Sequence, residues 1–347
     1  MRRDRSDAFT ELQLDHVRFA VGDLGTAVSG FTDGYGFAVH AEGTACAALG
    51  GGRIRLLLAE DPGYVREHGD GVADIAVRVD DAAAAFAEAV GRGAEAVAPP
   101  VERDGIVTAT IGGFGGVTHT FVRRPDTMDP WALPGLTAAD TRGGRADTGL
   151  REIDHFAVCV PPDSLKPAVE FYERVLDFEM IFEEHVVVGD QAMNSQVVQS
   201  RSGTVTLTMM EPDLGHEPGQ IDDFLARHGG GGVQHIAFTS DDIVGSVRAL
   251  GSRGVGFLKT PETYYDLVGE RLTLDRHPLV ELRELGILVD ADHSGQLFQI
   301  FTRSVHERGT LFFEVIERAG ALTFGSGNIK ALYTAVERER AQDHDAR

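Results

Sequence analysis

Three polar residues stand inside apolar, strand-like runs: His155 in HFAVCV, His235 in VQHIAF and Glu314 in LFFEVIE. A carboxylate in the middle of so apolar a strand is costly without a cation or a proton. Alternation puts Phe312, Glu314 and Ile316 on one face, so the acid points inward among apolar neighbours. Two imidazoles and one carboxylate on one side of a metal ion form the facial arrangement suited to non-haem iron(II), with positions left for substrate and dioxygen. For a single histidine the plainer reading is a hydrogen-bonded core residue, and 13 histidines make chance pairs easy. That plainer reading is kept for His16, His119, His185 and His293.

What favours ligation by His155 and His235 is a repeat that any positioning elements must share. LQLDHVRFAV from Leu12 matches REIDHFAVCV from Arg151, and GDGVADIAVRVDD from Gly69 matches GGGVQHIAFTSDD around His235. GGVTHTFVRR from Gly115 matches GTLFFEVIER from Gly309. Two copies of one module follow from self-similarity on this scale. Position for position, His155 falls on His16, His235 on Asp74 and Glu314 on Thr120. Only the C-terminal copy offers three protein ligands, so the N-terminal copy is expected to be structural and metal-free. Each copy reads strand, helix, then several strands, twice over. The Asp-Asp steps predict helix N-caps and the glycines helix ends. The expected division is a first domain over 12–124, a linker over 125–149 rich in Pro, Gly and Asp, and a catalytic domain over 150–340. The repeat resembles the βαβββ unit of vicinal-oxygen-chelate proteins. That resemblance implies an α+β fold of two tandem domains with open, barrel-like sheets and a C-terminal helix over the active site.

Composition removes several classes. The 347-residue chain has a formal charge of −22, which disfavours nucleic acid and anionic membrane surfaces as partners. No run approaches the roughly 18 apolar residues of a membrane helix. The opening MRRDRSDAFTELQLDH lacks the apolar stretch of a secretory signal. Two cysteines, Cys46 and Cys159, imply no disulfide framework, and a cytoplasmic location is expected. No Gly-x-Gly-x-x-Gly fingerprint or phosphate loop points to a nucleotide cofactor.

The stretches AMNSQVVQS, QIDDFLARHGGGGVQHIAF, FLKTPETYYDLVGER, GQLFQIFT, LFFEVIER and FGSGNIKALYTAVERE resemble, in order and spacing, the signature blocks of the 4-hydroxyphenylpyruvate dioxygenase family. They span nearly the whole C-terminal half; the N-terminal half is similar more loosely. The resemblance implies Fe(2+) as cofactor, 4-hydroxyphenylpyruvate and O2 as substrates, and a homo-oligomer, a dimer. The 2-oxo acid supplies its own reducing electrons. Two branches share the pattern: dioxygenases that make homogentisate in tyrosine breakdown, and 4-hydroxymandelate synthases that hydroxylate the benzylic carbon for 4-hydroxyphenylglycine and peptide antibiotics. Where the dioxygenases usually read Pro-Ile-Asn-Glu-Pro, this chain reads Thr208-Met209-Met210-Glu211-Pro212. Ile329 stands where they usually have Phe. Thr208, Met210 and Ile329 are therefore the expected product-specificity residues, and the chain resembles the synthase branch.

By family position, Ser195, Thr208, Gln220, Gln234 and Gln299 are expected to line the substrate pocket with hydrogen-bonding groups, and Phe301, Phe312 and Phe324 to form its apolar walls. Asn328 would tether the terminal helix, with Ile329 beside the ring. Core packing is the competing reading for each. Alternation turns Gln234 away from the face of His235 unless the strand twists. Glyoxalases and extradiol dioxygenases share the module, but GQLFQIFT and FGSGNIKALYTAVE argue against both. A ligand-binding protein of this fold is the non-enzyme alternative, and the complete His-His-Glu set speaks against it.

Overall fold

The computed structural model describes residues 6–143, 147–325 and 327–328. Strand β1 (Gln13–Val21), helix α1 (Leu24–Ser29) and strands β2 (Ala38–Glu42), β3 (Cys46–Gly51) and β4 (Ile54–Glu60) make one βαβββ unit. After helix α2 (Pro62–His68), strand β5 (Gly71–Arg78), helix α3 (Ala82–Gly91) and strands β6 (Ala96–Arg103), β7 (Ile106–Gly112) and β8 (Thr118–Arg123) repeat it. Strand β9 (Thr137–Gly143) lies within the 125–149 segment read as a linker and pairs with β2 at the edge of this sheet.

The second half follows the same plan. Its first unit is β10 (Leu150–Cys159), α4 (Leu165–Val175), β11 (Glu179–Val188), β12 (Gln191–Gln199) and β13 (Thr206–Pro212). After α5 (Gln220–His228) come β14 (Gly232–Ser240), α6 (Ile243–Ser252), α7 (Glu262–Arg271), α8 (Leu279–Leu285), β15 (Leu288–Asp292), β16 (Gly295–Phe301) and β17 (Phe312–Ala319). The sheet orders are β6-β7-β8-β5-β1-β4-β3-β2-β9 and β11-β12-β13-β10-β14-β17-β16-β15. In each, the first strands of the two units pair antiparallel at the centre, and each pairs parallel with the last strand of its own unit. This is the tandem α+β arrangement expected from the repeat.

Local chemistry fixes the equivalent helices. The second Asp of each Asp-Asp step, Asp81 and Asp242, caps α3 and α6 by accepting backbone N–H groups. Just past the helix ends, Gly93 and Gly254 take φ of 100° and 90°, values a side chain resists. Paired helix faces and sheets then close on one core.

Aromatic residues join the two halves behind the second sheet's central strands. Phe313 lies 5.6 Å from Phe31 and 5.1 Å from Tyr35 between ring centroids, and Phe238 packs 6.0 Å from Phe37. Burying each such ring contributes about 1.5–3 kcal/mol. Because side chains alternate, anchoring Phe313 on the core turns its neighbour Glu314 to the other face of β17. The N-terminal half thus holds the strands that carry the polar residues. Among the described residues, no helix is long and apolar enough to cross a membrane.

Candidate metal centre

His155 on β10, His235 on β14 and Glu314 on β17 meet on three adjacent strands. The ladder pairs His155 with Ala237, Ala157 with His235, and Ala237 with Glu314. Each polar side chain therefore faces an alanine, which leaves space between them. His155 Nε2 lies 3.5 Å and His235 Nε2 3.3 Å from Glu314 Oε2. Two ligand atoms each ~2.1 Å from one ion, at angles near 90–110°, are about 3.0–3.4 Å apart. All three residues are buried, Glu314 to 1% exposure.

Glu314 Oε1 and His235 Nδ1 have no hydrogen-bond partner although both are shielded from solvent. A buried carboxylate with one oxygen orphaned and the other facing two imidazole nitrogens is costly in a closed protein and natural around a cation. The residues present therefore fit a divalent metal with nitrogen and oxygen ligands. Burial lowers the His235 imidazole below its ordinary value, opposed by the Glu314 carboxylate, so its lone pair is available.

His155 is oriented from behind. Asp154 Oδ1 accepts from His155 Nδ1 at 2.8 Å, which turns Nε2 toward Glu314. Burial alone would push the Asp154 carboxyl upward, but hydrogen bonds from Arg318 and His155 outweigh it and hold the group well below the usual carboxylate range. Arg318 grips Asp154 with Nε at 2.7 Å and the terminal NH2 at 2.8 Å. Its other terminal nitrogen donates to the Thr323 carbonyl, and its guanidinium lies 5.1 Å from the Phe324 ring centroid. One side chain so links the ligand's support to the wall of the site.

The first half keeps the support and lacks the third ligand. Asp15 Oδ1 lies 2.7 Å from His16 Nδ1 and accepts from Arg124 at 2.6 Å. Asp74 Oδ1, however, accepts hydroxyl hydrogen bonds from Thr118 at 2.5 Å and Thr120 at 3.0 Å.

A cavity of about 50 Å³ lies against the three residues. That is room for a few water molecules and far below the ~300–1,000 Å³ of common ligand pockets. Thr208, Met210, Gln220, Gln234, Gln299, Phe301 and Phe324 line it. Phe312 stacks on His235 at 4.9 Å, and Phe324 meets His155 edge-on at 5.4 Å. Thr208 Oγ1 is buried without a hydrogen-bond partner. Asn328 donates to Gln299 Oε1 at 3.1 Å and accepts from the Tyr264 hydroxyl at 2.8 Å. Ser195 is buried opposite Met210 but does not line the cavity; it borders a neighbouring cleft. Ile329 lies outside the described residues.

Gln234 and His235 share the cavity although they are neighbours in sequence. The register against β10 slips between Ala157–His235 and Val158–Val233, which leaves Gln234 as the extra residue of a bulge. The first half has the same slip at Ala73, between Arg18–Asp74 and Phe19–Val72.

Comparison with known proteins decides the family. The model "Hydroxyphenylpyruvate dioxygenase, HPPD, N-terminal" matches residues 27–131, and that of the Glyoxalase/Bleomycin resistance protein/Dioxygenase superfamily matches residues 152–300. The chain is 35% identical to 4-hydroxyphenylpyruvate dioxygenase of Pyricularia oryzae, over 83% of this chain and 73% of that protein. It is 38% identical to the Dictyostelium discoideum enzyme over 80% of each. The chain belongs to the 4-hydroxyphenylpyruvate dioxygenase family. Enzymes of this family depend on iron(II), and the nitrogen and oxygen donors described above suit that ion. A solved structure of a triple mutant of 4-hydroxymandelate synthase from Streptomyces coelicolor is also similar, at 41% identity, covering 94% of this chain and 98% of that one, with a TM-score of 0.83.

Sequence reasoning missed Ala157, Met193 and Ile221, which also line the cavity, and the supporting pair Asp154 and Arg318. The pair was signalled by Asp-His and a closing Arg in both repeats. Two of the four histidines read as core residues are exposed: His185 is on the sheet's edge strand and His293 in the β15–β16 turn. His119 is buried as expected, with Nε2 2.6 Å from the Tyr172 hydroxyl.

Proposed function

We propose that this chain is an iron(II)-dependent 4-hydroxymandelate synthase, converting 4-hydroxyphenylpyruvate and O2 to 4-hydroxymandelate and CO2. His155, His235 and Glu314 would hold the iron. The observation that carries the metal assignment is the convergence of two imidazole nitrogens on a buried carboxylate whose other oxygen is unpaired. When bound, iron(II) supplies positions to chelate the 2-oxo acid and activates dioxygen. The reaction balances with one oxygen atom in the new carboxylate and one in the benzylic hydroxyl.

The chain's own residues do the rest. Phe301, Phe312 and Phe324 exclude water from the reacting atoms. Thr208 Oγ1 and the Gln299 amide offer polar contacts to the phenol, and Asn328 fixes Gln299 by occupying its oxygen. Product choice depends on whether the ring or the benzylic carbon is held nearest the oxidant. Met210 lines the cavity where the dioxygenase pattern has Asn, so the polar contact that would fix the ring differs here. Thr208 in place of Pro and Ile329 in place of Phe support the same reading, as does the likeness to the synthase structure.

A homogentisate-forming dioxygenase is the second reading, favoured by the names of the relatives at 35–38% identity. Product chromatography after turnover of 4-hydroxyphenylpyruvate separates the two. Mandelate as main product is expected; homogentisate as main product would replace this reading with the second.

A further inference from the structure

Two clusters of metal-capable side chains lie outside the buried centre. One joins Asp242, His277 and Glu317. There the Glu317 carboxylate accepts the Ile243 N–H at the start of α6 and is paired with Arg276 and His277. A guanidinium already supplies the positive charge, so this cluster is a helix cap. The other joins His185, Asp213 and His216.

In this second cluster both imidazoles aim at one oxygen. His185 Nε2 lies 2.9 Å and His216 Nδ1 3.2 Å from Asp213 Oδ2. The 3.2 Å separation suits neighbouring ligands of an ion at ~2.1 Å, and the 2.9 Å contact is a hydrogen bond that lies at the short edge of that range. The imidazole centroids are 6.0 Å apart here and 5.7 Å apart there. Asp213 Oδ1 accepts the Gly215 N–H at 2.8 Å, which fixes the carboxylate and leaves Oδ2 toward the imidazoles. The turn is held further by backbone bonds from Asp213 to the Ala192 carbonyl and from Glu217 to that of Asp190. Among the described residues, no Lys or Arg pairs with Asp213. The adjoining cleft carries Glu183, Glu184 and Glu211 against the single cation Lys166, a field that attracts cations.

We propose that His185, Asp213 and His216 form a second, surface site for a divalent transition metal. It pins edge strand β11 to the turn that follows β13, across β12. The three side chains are partly exposed, so water completes the coordination sphere. Imidazole-rich donors rank zinc, copper and nickel above iron(II), so zinc is a suitable probe of the site.

Equilibrium dialysis of the purified chain against Zn(II) near neutral pH, with bound metal counted by elemental analysis, tests the site. Two equivalents are expected for the wild type and one for the His185→Ala, His216→Ala double variant. The His155→Ala, His235→Ala variant should keep one equivalent, which separates the surface site from the iron assignment. A surface double variant that binds as much zinc as the wild type would overturn the proposal, leaving a hydrogen-bonded cluster only. Should the double variant fold poorly, His216→Ala alone, in a turn, reads the same loss.

Discussion

Asp154 lies 2.8 Å behind the His155 ring and fixes which of its nitrogens faces Glu314. The same Asp-His contact recurs at 2.7 Å between Asp15 and His16, where no carboxylate stands at the position of Glu314. The support was thus built into the module, and the third ligand distinguishes the halves.

Replacing Asp154 with Asn should weaken iron(II) binding about 10–100-fold, because the His155 ring loses its charged orienting partner. Anaerobic titration checks this, with circular dichroism to confirm that Arg318, left without its counter-ion, has not unfolded the sheet. Wild-type affinity would reduce Asp154 to a packing role.

Glu314→Gln separates a ligand from a structural acid by opposite signs. Without metal, removing a buried carboxylate that has one unsatisfied oxygen should raise stability by about 1–3 kcal/mol. With iron(II), the variant should lose the stabilisation the ion gives the wild type. Melting curves with and without Fe(II) read both effects. A variant less stable than wild type in the absence of metal would mean that Glu314 serves the fold.

Asp74 gives the first half a pH signature. Burial pushes its carboxyl up to about 6, with hydrogen bonds from Thr118 and Thr120 and the charges of His16 and Arg18 opposing. The folded state therefore binds this proton more tightly than the unfolded one, whose value is near 3.8. Its stabilising contribution is full below pH 4 and is lost as pH rises through about 6, a change of about 3 kcal/mol. Asp74→Asn should remove that part of the slope and be the more stable protein at pH 7.5. Denaturant titrations at pH 5 and 7.5 test it; identical slopes in the two proteins would rule out the titration.

Met210→Asn, combined with Ile329→Phe, should move product from mandelate toward ring-attack species. A change of about 1.4 kcal/mol between the competing barriers alters the ratio about tenfold, well within reach of chromatography. An unchanged ratio would remove both positions from product choice.

Much of the site was legible because the repeat made each unusual residue visible against its counterpart: His235 against Asp74, Glu314 against Thr120. The paired βαβββ units were legible for the same reason, through the capping residues Asp81 and Asp242 and the glycines that end their helices. The bulge at Gln234 was not, because strict alternation carries no sign of an extra residue. Nor was the reach of Arg318 across 164 positions to Asp154, which depends on how β17 returns beside β14 and β10. The exposure of His185 depended on β11 being an edge strand, a fact of sheet order that local sequence does not carry.

Anaerobic Fe(II) titration of wild type, His235→Ala and Glu314→Ala, each followed by O2 uptake with 4-hydroxyphenylpyruvate, bears most directly on the buried centre. The wild type should bind one ferrous ion tightly and consume oxygen, and both variants should lose the ion and the uptake together. Tight iron binding and undiminished uptake in Glu314→Ala would contradict the assignment of these three residues as the metal's holders.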